Sequence, residues 1–192
     1  MDSDLPLLER LVAGEDLALN ELIQRHRDAL FAFAFRYLRD ESAAHDVVQE
    51  CFVRLYFKAA SFKPQSTVKT WLYTIASNLC RDRLRWLGRR GNSVSLDAPV
   101  PHGNGEARPE QADTSPLPSE KTAQADRFAT LQQAIDRLPH KLRLAVILCS
   151  LEGKTHQEAA HILGTTPKTV ELRVYHAKAK LREILADSLA KE

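Results

Sequence analysis

The stretch THQEAAHILGTTPKTVELRVYHAKAK, residues 155–180, decides the fold because its punctuation is local and complete. Thr155 followed three residues later by Glu158 predicts a capping box, in which the threonine oxygen accepts from the Glu158 amide and the glutamate reaches back to the cap. Ala159, Ala160, Ile162 and Leu163 form the packing face of a short helix, and Gly164 suits the left-handed position that ends it. Thr166 then caps a second helix with Pro167 at its first position, where a missing N–H costs nothing. Val170, Val174, Ala177 and Leu181 face inward at helical spacing. The small side chains of Ala159 and Ala160 allow the two helices to approach closely, and the result is helix, tight turn, helix.

Outward from this unit the chain reads as helix throughout. Upstream, Leu131, Ala134, Ile135 and Leu138 form a stripe that begins near Phe128 and stops at Pro139; Leu142, Ala145, Val146, Leu148 and Cys149 form another, ended by Gly153. From Leu17 to Leu38 apolar residues recur at spacings of three and four, and after Asp40-Glu41-Ser42, with Asp40 or Ser42 as cap, a further helix places Val47, Val48, Cys51, Phe52, Leu55 and Tyr56 on one face. Asp46, Gln49, Glu50 and Arg54 lie on its other face. A loop from Ser61 to Ser66 contains Pro64, which disfavours helix at Lys63. Ser66 or Thr67 caps the next helix, which has Trp71, Leu72, Ile75, Ala76 and Leu79 on its apolar side and Thr74, Asn78, Arg81 and Arg85 toward the other. Residues 92–122 carry Pro99, Pro101, Pro109, Pro116 and Pro118 among Gly, Ser, Asn and acidic groups, a composition that buries too little apolar surface to offset chain entropy. The expected architecture is all-α: two small helical domains, residues 1–91 and 125–192, joined by a flexible linker at 92–124 that is long enough to let them sit apart.

Composition narrows the function classes. With 44% hydrophobic and 27% charged residues the 192-residue chain is ordinary for a globular protein, and no run approaches the roughly 20 apolar residues that span a bilayer. The N-terminus, Met1-Asp2-Ser3-Asp4, is acidic where a secretory signal is basic, so a cytoplasmic location is expected. Cys51, Cys80 and Cys149 lie far apart in apolar stretches and read as core thiols; the seven histidines make no metal pattern, so no cofactor is expected. Net charge is only +2, but residues 61–91 carry seven basic groups against one acidic, and residues 126–192 carry eleven against eight. Two separate basic zones suggest two contacts with a polyanion.

Each zone has its own chemistry. In a helix–turn–helix the second helix enters the major groove, so Lys168, Thr169, Glu171, Leu172, Arg173, Tyr175, His176 and Lys178 are candidate readers on its outer side. Glu171 can accept from a cytosine N4, Arg173 and His176 can donate to guanine or phosphate, and Lys178 and Lys180 suit phosphates. The other zone mixes Lys63, Lys69, Arg81, Arg83, Arg85, Arg89 and Arg90 with Phe62, Trp71, Tyr73 and Trp86, a combination suited to melted or single-stranded nucleic acid. The acidic stripe of Asp46, Gln49 and Glu50 would repel DNA and points instead to a protein partner.

Taken in order, these segments resemble the sigma factors of bacterial RNA polymerase, in particular the small two-domain extracytoplasmic-function type. Ala44-His45-Asp46-Val47-Val48-Gln49-Glu50-Cys51-Phe52 is similar to that family's segment for the clamp helices of the core polymerase β′ subunit. Thr70-Trp71-Leu72-Tyr73-Thr74-Ile75-Ala76-Ser77-Asn78 is similar to its −10 segment, and Leu138 through Leu181 to its −35 domain. The resemblance implies core-polymerase binding through Asp46, Val47, Gln49, Glu50 and Arg54. It implies opening of the −10 element by Phe62, Lys63, Ser66, Thr67, Lys69, Trp71, Asn78, Arg81 and Arg85, with a flipped base held by the loop and Asn78, and −35 reading by the helix after Pro167. An anti-sigma factor is the further expected partner, and catalysis is not expected. Gln65 and Pro64 replace a frequent Gly-acidic pair, Val68 a frequent aromatic, His45 a usual glutamate, and Glu171 and His176 common arginines. The alternative is a stand-alone helix–turn–helix regulator, which would need a receiver, ligand or dimerisation domain in the N-terminal half.

Overall fold

A computed structural model describes residues 2–92 and 129–189, and among them every regular element is helical. The N-terminal half contains α1 (Leu5–Val12), α2 (Leu17–Leu38), α3 (Glu41–Lys58), a 3-10 turn at Ala59–Ser61 and α4 (Val68–Asn92). The C-terminal half contains α5 (129–136), α6 (His140–Val146), which runs into a π-type turn at Ile147–Leu151, then α7 (His156–Leu163) and α8 (Pro167–Leu189). Residues 93–128 are outside the described residues, and the linker expected at 92–124 lies among them except for Asn92, which ends α4.

Local chemistry sets the boundaries. Arg39 takes a left-handed conformation at φ 59° and its N–H closes α2 on the Phe35 carbonyl. Asp40, rather than Ser42, caps α3, its Oδ1 accepting from Ala43 N at 2.8 Å. Thr67, rather than Ser66, caps α4, its Oγ1 accepting from Thr70 N at 3.1 Å. With only two residues between them, α3 packs back along α2, and α4 packs on both. Their shared core holds Leu22, Leu30, Phe33, Tyr37, Cys51, Leu55, Val68, Leu72 and Cys80, all essentially inaccessible. Cys51 and Cys80 are free core thiols, and burial pushes each up to about 12. The face assigned to α3 from periodicity is right with one exception. Tyr56 is 42% exposed, on the wall of an open groove between α2 and α3.

The helix–turn–helix forms as its punctuation requires. Thr155 Oγ1 accepts from Glu158 N at 3.2 Å while Glu158 Oε2 accepts from Thr155 N at 2.8 Å. Those bonds hold the Glu158 carboxyl below its usual range. The stabilisation is therefore present above the ordinary carboxylate pKa and is lost as pH falls through the depressed one. Gly164 ends α7 at φ 59°, ψ 45°, and Thr166 Oγ1 accepts from Thr169 N at 3.2 Å to start α8. Ala159, Ala160 and Ile162 meet Val170, Val174, Ala177 and Leu181 in the core of this half. A Cβ at Gly164 would meet nothing within 4 Å, so Gly164→Ala is a pure backbone test. Left-handed strain alone should lower stability by about 1–2 kcal/mol in thermal unfolding, with Gly164→Asn losing less.

Candidate nucleic-acid interface

The outer face of α8 is a strip of Lys168, Glu171, Leu172, Tyr175 and Lys178, all exposed at spacings of three and four. Tyr175 is 68% exposed and Leu172 47%, apolar groups left in solvent on a helix whose opposite side supplies the core. Lys168 Nζ holds Glu171 Oε2 at 3.0 Å, and the ring of Tyr175 lies edge-on to His176 at 5.8 Å. Such a strip offers phosphate contacts at its ends and an acceptor, an apolar side chain and an aromatic ring between them. Thr169 and Arg173 are only half-exposed. Arg173 lies close enough to His140, with Lys141, Arg85 and Arg81, that burial and these four charges lower the imidazole pKa.

In the N-terminal half, the ring of Phe62 packs on Trp71 at 5.1 Å, both half-buried, so the loop lies against the first turns of α4. Thr67 and Thr70 share a hydroxyl hydrogen bond of 2.9 Å beside it, and Lys63, Ser66 and Lys69 reach solvent. Two turns further on, Arg81 Nη2 donates to Asn78 Oδ1 at 2.7 Å, which holds Asn78 in one orientation; Arg85 is exposed. Three side chains grouped with this zone from sequence, Arg83, Trp86 and Tyr73, lie elsewhere. Arg83 turns to Asp46 on α3, 3.3 Å away, and stacks on Trp86 at 5.3 Å. Tyr73 is 2% exposed and closed to any base, because the C-terminal half covers it. Arg89 and Arg90 have side chains outside the described residues.

The α3 face is separate from both. Asp46 is bridged to Arg83 and Glu50 to Arg54, the latter at 2.7 Å across one turn, and all four remain substantially exposed. Val47 is buried beneath them as the floor of a shallow depression that Trp86 and Leu79 complete. Gln49 adjoins an apolar groove of about 610 Å³ between α2 and α3, lined by Leu19, Ile23, Phe52, Val53, Tyr56 and Phe57. Phe57 is 79% exposed there. The signal for this groove was legible: Val53 and Phe57 put large apolar groups on the side of α3 that periodicity assigns to water.

The two halves touch. Glu152, its side chain 8% exposed, pairs with Arg36 of α2 and accepts from the Tyr73 hydroxyl at 2.9 Å. Lys154 Nζ sits 4.3 Å over the Tyr73 ring, Gln132 Nε2 donates to the Arg36 carbonyl at 3.1 Å, Asp136 takes Arg39 at 3.4 Å, and Arg143 stacks on Tyr37 at 5.1 Å. Burial and the neighbouring carboxylate drive the Tyr73 phenol well above its usual range. None of these pairs is visible in the sequence, where their members lie far apart.

Comparison with known proteins bears on all of these faces. The model of Sigma-70 region 2 matches residues 22–90 and that of Sigma-70, region 4 matches residues 128–181. The chain is 30% identical over 182 residues to the ECF RNA polymerase sigma factor SigW of Bacillus subtilis, covering 94% of this chain and 95% of that one. It is 32% identical to the ECF RNA polymerase sigma-E factor of Escherichia coli strain K12, covering 92% and 91%. Against SigE of Mycolicibacterium smegmatis, 32% identical, it spans 61% of that protein's length. Among solved structures, CnrH in complex with the cytosolic domain of CnrY superposes with a TM-score of 0.70 at 26% identity, covering 97% of this chain and 99% of that one. The sigma factor RpoE in complex with the anti-sigma factor NepR, from Bartonella quintana, gives 0.62 at 26% identity, covering 87% and 96%.

Proposed function

The chain belongs to the sigma-70 family, in its extracytoplasmic-function branch, and from that premise we propose how its faces divide the work of promoter-specific transcription initiation. It binds core RNA polymerase and directs it to promoters, with no catalytic chemistry of its own. The observation that carries this reading is the presence on one chain of two nucleic-acid faces of different chemistry and a third, charged face apart from both. The exposed strip of α8 suits a duplex and reads the −35 element. Phe62, Lys63, Ser66, Thr67 and Lys69, with Trp71, Asn78, Arg81 and Arg85 on α4, suit unpaired bases and open the −10 element. Unstacking a base costs a few kcal/mol, which an ordered aromatic and hydroxyl-bearing loop offsets. The clamp helices of the β′ subunit dock on Asp46, Gln49, Glu50 and Arg54, with Val47 as the floor and the neighbouring apolar groove continuing the surface.

A chain that acts with RNA polymerase is expected in the cytoplasm; among the described residues no helix is long and apolar enough to cross a membrane. An anti-sigma protein is the further expected partner; in the similar structure RpoE is in complex with the anti-sigma factor NepR. Gel filtration with purified core polymerase tests the assignment. Co-elution of a stoichiometric complex supports it, whereas failure to bind core together with tight duplex binding by the protein alone would identify a stand-alone regulator.

Reading both elements at once requires the halves to part. Sites about 25 base pairs apart are separated by about 85 Å of duplex, whereas α7 packs directly on α4. The Glu152 contacts are among those that must break. Glu152→Ala strips a carboxylate from Arg36 and the Tyr73 hydroxyl together, which should weaken docking by about 2 kcal/mol, since Arg36 is partly solvated. Energy transfer between dyes on α2 and α8 should then report a population of separated halves about 30-fold larger. Unchanged transfer would show that other contacts hold the halves together.

A further inference from the structure

Residues 2–12 precede the segment matched by the region 2 model, which begins at residue 22, and they are built into the proposed −10 reader. Asp2 Oδ2 accepts from the backbone N–H of Val68, the first residue of α4, at 2.7 Å, across 66 positions of sequence. Its other oxygen accepts from Asp4 N at 3.2 Å. The first turn of α4 thus has two side-chain acceptors, Thr67 from its own loop and Asp2 from the chain's beginning, and the carboxylate also meets the positive end of the helix dipole.

Asp2 is itself held by a buried anchor. The Asp4 carboxylate, 7% exposed, takes His26 Nε2 at 2.7 Å on one oxygen and Arg25 Nη1 at 2.9 Å on the other. Arg25 also donates to the Ser3 carbonyl at 3.3 Å. From that anchor α1 runs along α2 and the 3-10 turn, burying Leu7, Leu8 and Leu11. Leu5, Leu8 and Val12 face Ala59, Phe62 and Pro64 across a shallow groove. The loop from Phe62 to Thr67 is therefore confined between α1 and the start of α4.

We propose that residues 2–12 act as a strap that orders the loop for capture of an unpaired −10 base, with Asp2 as the positioning residue that fixes the first turn of α4. The inference rests on the assignment of that loop to −10 opening. Fixing one backbone residue costs about 1–2 kcal/mol, so a loop ordered before the base arrives leaves more of the binding energy for opening. Asp2 touches no nucleic acid in this scheme; it acts through Val68 and Thr67.

The test compares Asp2→Ala and Asp2→Asn in full-length protein tagged at the C-terminus and assembled with core polymerase. Opening is read by fluorescence of 2-aminopurine placed in the −10 element. Core affinity and duplex −35 binding are measured alongside. Loss of a helix-capping acceptor predicts a fall of about 5- to 10-fold in the opening equilibrium for Asp2→Ala, and an equal fall in affinity for a single-stranded −10 oligonucleotide. Core and −35 binding should stay within about twofold. Asp2→Asn keeps an acceptor for Val68 N–H and should lose no more than about 2- to 3-fold. Unchanged opening in Asp2→Ala overturns the proposal, as does a parallel fall in opening and core affinity, which would mark general destabilisation. Amide hydrogen exchange on the protein alone judges the strap separately from the promoter assignment. Asp2→Ala should speed exchange of residues 62–71 about tenfold and leave α8 unchanged, and equal exchange in the two proteins would overturn the strap even where promoter opening is never seen.

Discussion

Reversing Asp46 and Glu50 together to arginine should lower affinity for core RNA polymerase at least about 100-fold while leaving duplex binding by α8 within about twofold. The difference arises from where each charge matters. In the free protein Asp46 and Glu50 are 59% and 45% exposed, and their bridges to Arg83 and Arg54 are solvated. Exposed pairs of this kind contribute about 0–1 kcal/mol, so the double variant should fold with little loss. At a protein interface the same groups lose water, and placing like charges against a complementary surface costs several kcal/mol. Asp28→Arg on α2, at a side chain 86% exposed, is the matched control and should leave core binding unchanged. Fluorescence anisotropy of labelled protein titrated with core polymerase reads all three. Equal affinities would remove α3 from the polymerase interface.

The second large effect concerns sequence preference. Glu171 stands in the middle of the α8 strip, tied loosely to Lys168, where it is proposed to accept from a base edge; Lys178 stands at its end and suits a phosphate. Glu171→Ala should cost about 10- to 100-fold on the preferred −35 sequence and little on unrelated duplexes, because a base contact discriminates by about 1–3 kcal/mol. Lys178→Ala should weaken every duplex by a similar factor and reduce the slope of log affinity against log salt by about one. Binding to a randomised −35 library by wild type and both variants distinguishes them. A uniform loss in Glu171→Ala would assign that side chain to packing or to Lys168 rather than to readout.

What could be read from the sequence follows from the range of the forces. The helix–turn–helix was legible almost to the residue because its cap, glycine, second cap and proline each act on the nearest turn. The burial of Val170, Val174, Ala177 and Leu181, and the caps at Asp40 and Thr67, are likewise local. Periodicity tells which side of a helix is apolar, not what covers it. Tyr73 looked like a stacking platform and is instead closed off by Glu152 and Lys154, 79 and 81 positions away. Arg83 belonged by composition to the basic zone, yet half a turn of rotation relative to Arg81 and Arg85 delivers it to Asp46. Helix α1 was missed because eight residues carry too little pattern, and its hold on the loop depends on Asp2 reaching Val68. The division of the faces among polymerase, −10 and −35 contacts came from resemblance, since charge and exposure alone name a polyanion or a protein but not which one.

This chain is proposed to give core polymerase its promoter choice. Run-off transcription by purified bacterial core on a promoter library, with and without the chain, measures that directly. Discrete transcripts that share a −10 and a −35 element should appear only when the chain is added. An identical transcript set with and without it, alongside tight binding of duplex DNA by the protein alone, would make it a stand-alone regulator instead.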